Sequence, residues 1–229
     1  MSRPLILIVG RWSDRIGKDT RGCYVPQKMI DAIARGGGEP IMVWPDTDER
    51  ARRLVELADG VVLPGGVDLD LRPFGIAEVH PRETHAPKEQ DAADLTIAGA
   101  ALAAELPILA ICRGMQVLNI VMGGTIHQHF DETTVSHTNG PHEFDVVPGT
   151  VTETIMGGTR VSGFSNHHQA CDRLAEGLIL SANTDDKIIE GFESTDGRIV
   201  GLQWHPEVDA ASDPVQQKPF DWLVNVAGS

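Results

Sequence analysis

Four short apolar runs in the first half of the chain limit the fold more than any other feature. They are "LILIVG" (5–10), "PIMVWP" (40–45), "VVLPGG" (61–66) and "PILAI" (107–111), and segments of helical pattern lie between them. "VPQKMIDAIARGGG" (25–38) sets Met29, Ile30, Ile33 and Ala34 at helical spacing ahead of three glycines. "DERARRLVELADG" (48–60) reads as an amphipathic helix ended by Gly60. "KEQDAADLTIAGAALAAE" (88–105) reads as an alanine-rich helix behind Pro87, and "GMQVLNIVMG" (114–123) as a further one. Apolar runs alternating with helices through short connections imply a parallel sheet covered by helices on both faces.

The second half changes character. "FDVVP" (144–148), "LILSANT" (178–184), "KIIEGFES" (187–194) and "RIVGLQW" (198–204) are separated by turn-like Gly, Asp and Asn, and are expected as added antiparallel strands. "PVQQKPFDWLVNVAG" (214–228) is expected to close the chain as a helix. The stretch Val67 to Pro87, rich in Pro, Asp and His, is long for a loop and is expected to carry function. No repeat, low-complexity tract or linker interrupts the 229 residues, which suits a single domain over 1–229.

Nineteen basic against 33 acidic residues give a net charge of −14. Such a surface repels phosphate backbones and anionic lipid, so neither nucleic acid nor membrane is an expected partner. No apolar run approaches the ~18 residues of a membrane span. The first residues read as a strand, not an export signal. Cys23, Cys112 and Cys171 form neither a disulfide framework nor a zinc signature, and reduced thiols in the cytoplasm are the expectation.

Cys112 closes one of the apolar runs, and a helix pattern starts just behind it in "PILAICRGMQVLNI" (107–120). A strand, a tight turn and a helix are the layout of a nucleophile elbow. It exposes a side chain at the carboxyl edge of the sheet and aims the helix N-terminus at the sulfur, which favours thiolate. Gly114 leaves room for the turn. Position alone leaves the alternative open, since free cysteine often packs as a small apolar side chain. A nucleophile needs a base, and the base needs an orienting group. "GLQWHPE" (201–207) offers His205 at a strand end and Glu207 two residues on. Taken alone, that segment reads better as a surface turn, since turns rich in Pro and Glu are common.

The two segments together resemble class I glutamine amidotransferases. With "LPGGVDLDLRPFG" (63–75), "ICRGMQVLNIVMGGTIHQHF" (111–130) and "SNHHQA" (165–170), the resemblance narrows to the γ-glutamyl-γ-aminobutyrate hydrolase family, peptidase family C26, over about residues 5 to 224. It implies an α/β, flavodoxin-like fold: a central, mostly parallel sheet flanked by helices, with antiparallel strands added in the C-terminal half. It implies a Cys112–His205–Glu207 triad, an oxyanion hole from the backbone N–H groups of Gly66 and Arg113, and a small γ-glutamyl substrate. Recognition of the glutamyl head would fall to Gln116, Ser165, Asn166 and His167. No metal or organic cofactor is implied. Asn166, Gln90 and Phe74 stand where relatives tend to carry an apolar residue, arginine and tyrosine. These departures bear on the amine side of the substrate, which the 67–87 stretch is expected to line.

Other readings are blander. "HQHFDE" (127–132) is a weak metal pattern, and the crowded histidines His127, His129, His137, His142, His167 and His168 are expected to rim the pocket. Trp204 is expected to pack. Two further functions share the fold, a glutaminase subunit feeding ammonia to a separate synthetase and a non-catalytic binding protein. A homodimer is the default expectation for a soluble α/β enzyme.

Overall fold

Strand β1 (Leu5–Val9) is followed by a ribbon of β2 (Arg11–Ser13) and β3 (Gly22–Tyr24), and then by helix α1 (Gln27–Arg35). Next come β4 (Glu39–Val43), α2 (Asp48–Val55), β5 (Gly60–Leu63), α3 (Lys88–Ala103), β6 (Ile108–Ile111) and α4 (Arg113–Val121). The second half adds β7 (Ile126–His127), β8 (Gly140–Val146), α5 (Val151–Met156), β9 (Arg160–Ser165) and β10 (Ala170–Cys171). It ends with β11 (Leu178–Asn183), β12 (Ile189–Ser194), β13 (Ile199–Leu202), α6 (Pro206–Asp209) and α7 (Pro214–Ala227). The structure is a computed structural model, and it describes residues 2–14, 20–76, 78–130 and 133–229.

Nine strands form one sheet in the order β4-β1-β5-β6-β13-β12-β11-β8-β9. The apolar runs of the first half become parallel neighbours, as their alternation with helices requires. Strands β1, β5 and β6 are buried on both faces because helices cover both. Leu7, Val9, Leu63 and Ala110 pack toward Ile97 and Met115 on one face. Ile6, Ile8, Val62 and Ile111 pack toward Ile33, Phe220 and Leu223 on the other.

One expected antiparallel strand is placed differently. The "RIVGLQW" strand, β13, runs parallel to β6, with Ile199 opposite Ile108 and Leu202 opposite Ile111, and antiparallel only to β12. It is therefore the fifth parallel strand, and the antiparallel extension begins beyond it. Both β6 and β13 thus end at the same edge of the sheet. Cys112 donates its backbone N–H to Leu202 O at 2.7 Å, which ties the two strand ends together.

The stretch from Val67 to Pro87 is mostly irregular, with one turn of 3-10 helix at Arg72–Phe74 and a bridge between Asp68 and His85; Ala77 lies outside the described residues. No helix among the described residues is long and apolar enough to cross a membrane.

Helix α4 packs tightly against the end of β5. A Cβ added at Gly114 would lie 2.0 Å from Leu63 O and 2.5 Å from its carbonyl carbon. Beyond leaving room for the turn, this glycine permits contact between the helix backbone and a strand backbone. Gly114→Ala is expected to destabilise the fold by about 3 kcal/mol, because neither backbone can yield cheaply. Gly99→Ala, mid-helix in α3 with nothing within 4 Å of the added methyl, is expected to gain about 0.5–1 kcal/mol. Urea denaturation of the two variants checks the contrast, and equal midpoints would contradict the packing argument.

Candidate active site

Cys112 sits between β6 and α4 with φ 48° and ψ −109°. That conformation is rare outside glycine and signals a strained turn at a functional position. The side chain is buried at 4% exposure, at the N-terminus of a helix that contributes partial positive charge. The turn thus has the geometry that the strand, turn and helix pattern implies.

His205 caps the other strand end. Its backbone N–H donates to Phe164 O at 2.8 Å, and Pro206 opens α6 directly behind it. Glu207, in the first turn of α6, brings Oε1 to 2.8 Å from His205 Nδ1. With Nδ1 so engaged, Nε2 is the nitrogen left for sulfur. Burial pushes the imidazole toward its neutral form, but the nearby Cys112 sulfur and the Glu207 carboxylate outweigh it, and His205 is held protonated well above the usual histidine range. Glu207 is almost fully buried and its Oε2 has no hydrogen-bond partner. A carboxylate in that setting orients the ring in one tautomer and favours the imidazolium.

Gly65 lies against both groups. A Cβ there would come 2.6 Å from His205 Cε1 and 3.5 Å from Cys112 Cβ. Only glycine lets the imidazole and the thiol share that space. Gly66 follows, and its own Cβ would meet Arg113 Cδ at 2.9 Å. The two segments expected to supply the oxyanion hole are therefore adjacent, with the Arg113 N–H in the first turn of α4.

The Arg113 side chain points away from the reaction and into the protein. Its Nη2 donates to Asp91 Oδ1 at 2.7 Å, its Nε to Asp94 Oδ2 at 3.0 Å and its Nη1 to Val67 O at 2.9 Å. Arg11 shares the Asp94 carboxylate through both terminal nitrogens. Gln90 completes the network, donating to Gly10 O and to Asp94 Oδ2 and accepting from the Trp12 N–H. Burial lowers the Arg11 pKa despite its carboxylate, whereas two carboxylates offset the same burial at Arg113 and raise it. Sequence reasoning missed Gly65, Arg11, Asp91 and Asp94; the doubled glycine of "PGG" was the available signal for the first.

A cavity of about 380 Å³ opens above the site. Gly65, Gly66, Arg113, Asn166, His205 and Glu207 are among the residues lining it, and Cys112, at 4% exposure, is not. The 67–87 stretch contributes Val67 and Ala86 near its two ends, while Trp12, Tyr24 and Pro26 form walls that the sequence did not indicate. Of the four residues expected to bind the glutamyl head, only Asn166 is among those lining this cavity. Gln116 is buried and donates to Gln169 O and Gln203 Oε1. Ser165 is fully buried, and His167 faces Glu190.

The histidines do not rim this cavity, where His205 is the lining imidazole. His127 is exposed beside Asp172, and His129 stacks on His80. His137, His142 and His167 gather around Glu190. Asp131 and Glu132 of "HQHFDE" lie outside the described residues. Trp204 packs as expected, stacked on Phe144 and hydrogen-bonded to Gln216.

The Peptidase C26 family model matches residues 4–207. The chain belongs to the Peptidase C26 family. It is class I glutamine amidotransferase-like, and the fold expected from the resemblance is the one found. Protein NtpR of Enterococcus hirae is 31% identical over 96% of this chain and 98% of its own length. The γ-glutamyl-γ-aminobutyrate hydrolase PuuD of Escherichia coli K12 is 27% identical over 98% of this chain and 93% of its own. A glutamine amidotransferase of Thermotoga maritima shares the fold, with a TM-score of 0.68 at 16% identity and full coverage of both chains.

The buried ion network fixes the elbow, so its loss should register as stability. Asp94→Ala leaves Arg11 without its carboxylate and Arg113 with one, and is expected to cost about 3–5 kcal/mol, the usual penalty for stripping a buried charge of its partner. Chemical denaturation measures it, and a loss under 1 kcal/mol would show that the network does not hold the fold.

Proposed function

We propose that this chain is a cysteine hydrolase that cleaves the γ-glutamyl amide bond of a small γ-glutamyl amine. The observation that carries the reading is the convergence of Cys112, His205 and Glu207 beside a cavity that Gly66, Arg113, His205 and Glu207 line. The relationship to a γ-glutamyl-γ-aminobutyrate hydrolase supports the substrate class.

The Cys112 thiolate attacks the side-chain amide carbonyl, forming a carbon–sulfur bond and pushing an electron pair onto oxygen. The N–H groups of Gly66 and Arg113 stabilise that oxyanion. Collapse of the intermediate breaks the carbon–nitrogen bond, and His205 gives its proton to the departing amine. Neutral His205 then takes a proton from water as its oxygen attacks the thioester. Glutamate leaves, and the thiolate–imidazolium pair is restored. Glu207 holds the ring for both proton transfers.

The amine half would face the walls formed by Trp12, Tyr24 and Pro26 together with Val67 and Ala86. A screen of γ-glutamyl amines with released glutamate as the readout is expected to find one turned over much faster than glutamine. Robust glutaminase activity that required a co-purifying partner would instead make this a synthetase-linked subunit. Cys112→Ala is expected to lower kcat by at least about a thousandfold, as loss of a nucleophile does elsewhere. Unchanged turnover in that variant would sink the mechanism.

The pH profile follows from His205. Because its pKa is raised, the imidazolium persists above the usual histidine range, and kcat/KM should fall only as pH rises through that raised value. Glu207→Gln removes one of the groups raising it. The alkaline limb is expected to move to lower pH, with kcat down by about 10²–10⁴-fold. An unmoved limb would mean that Glu207 does not tune the base.

A further inference from the structure

The mechanism leaves one cluster unused. Glu190 lies in β12, is fully buried, and turns its carboxylate toward three histidines from separate segments. His137 Nδ1 is 3.1 Å from Glu190 Oε1. His142 Nε2, from β8, and His167 Nε2, just beyond β9, are each 3.4 Å from the same oxygen. All three histidines are buried.

The outer nitrogen of each ring already has an acceptor. His142 Nδ1 is 3.1 Å from Ser136 O, and His167 Nδ1 is 2.8 Å from Gln169 O. His137 Nε2 is 3.3 Å from Asp186 Oδ2. Donation to those oxygens puts the N–H outward and leaves a lone pair inward on every ring. Three imidazole lone pairs and a carboxylate oxygen then converge, and acceptors repel one another unless a cation lies among them. Carbonyls and a carboxylate behind the ligating histidines are the usual support of a metal site, fixing tautomer and ring orientation.

Protons could supply the positive charge, but the spacing argues against them. A charge-assisted N–H to carboxylate bond closes to about 2.7–2.9 Å. The contacts here are 3.1–3.4 Å, and neither His142 Nε2 nor His167 Nε2 makes a hydrogen bond within the protein. Around a tetrahedral ion with bonds of ~2.0–2.1 Å, neighbouring ligand atoms lie ~3.3 Å apart, which is the spacing found between Oε1 and the three nitrogens. The donor atoms of His137, His142 and Glu190 fall within 4.8 Å of one another. Closing a gap of that size to a tetrahedral edge takes about 1.5 Å, shared between two rings that can each rotate.

We propose that His137, His142 and Glu190 bind one divalent transition-metal ion of the zinc class, with His167, which lies outside that close group but 3.4 Å from Glu190 Oε1, joining as the fourth ligand once its ring turns further inward. Three imidazoles and one carboxylate suit such an ion and not magnesium or calcium, which prefer oxygen. Four protein ligands close the site, so its role is structural. It would pin β8, the segment after β9 and β12 to one another. Gln169 O accepts from both His167 and Gln116, and Gln116 lies on the helix that starts at Cys112. Asn166, beside His167, lines the cavity. The ion would therefore steady the cavity wall without touching substrate.

The test uses untagged protein carrying Cys112→Ala, so that no thiolate at the reaction centre competes, after dialysis against a chelator. Titration with Zn²⁺ is expected to show one equivalent bound with a Kd below about 1 µM, and a higher Tm. Co²⁺ is expected to give tetrahedral d–d absorption with no thiolate charge-transfer band. The His137→Ala/His142→Ala pair should abolish uptake. If that pair does not fold, Asp186→Asn, behind His137, should weaken binding about 10–100-fold. Failure to take up Zn²⁺, undiminished uptake in the histidine pair or unchanged affinity in Asp186→Asn, or a thiolate band with Co²⁺ would each overturn the proposal. None of these readouts needs a substrate, so the outcome is independent of the proposed hydrolysis.

Discussion

The geometry at Cys112 depends on the guanidinium of the residue that follows it. Arg113 is 1% exposed, and a charge at that depth is tolerable only with its carboxylates in place. By holding Asp91 and Asp94 of α3 and the Val67 carbonyl together, it locks three things at once: the start of α4, the loop that follows the glycine pair, and the helix behind them. The planar fork matters, because three different acceptors are met in three directions, which a lysine ammonium could not reproduce on a flexible stem. One residue thus sets its backbone in the turn beside Cys112 and its side chain in the frame. The strain at Cys112 can persist because the surroundings over-determine it.

The legible part of this sequence was the part governed by local rules. Period, length and punctuation gave the parallel units and the helices between them, and motif identity led to Gly66, Arg113, His205 and Glu207, which line one cavity, and to Cys112, buried beside Gly65 next to them. Strand direction was not local. "RIVGLQW" has the pattern of a strand in either orientation, and only its register on β6 makes it parallel. Strand β9, with Gly163 in its middle and alternating burial, offered too weak an apolar signal to be read.

Side-chain facing was the other limit. Gln116, Ser165 and His167 belong to motif segments, but a motif does not say which way each member points. In the fold these three turn inward, while Asn166 between two of them turns to the cavity. The histidine cluster shows the same limit from the opposite side. Its members are scattered across the second half of the chain, and Glu190, at its centre, sits in a strand with nothing in its neighbourhood to mark it. The sequence could count histidines; only the sheet order could bring three of them to one carboxylate.

The pairing of β6 with β13 decides when Cys112 and His205 meet. The thiol is carried by the first half of the chain and the imidazole by the last strand end, and they meet only when Ile199 to Leu202 zip onto Ile108 to Ile111. That closure is a long-range, entropically costly step, so it belongs late in folding. A nascent chain emerging from the ribosome would carry Cys112 before His205 has been made. Cys112 and His205 come together only once β13 has joined β6 in the sheet.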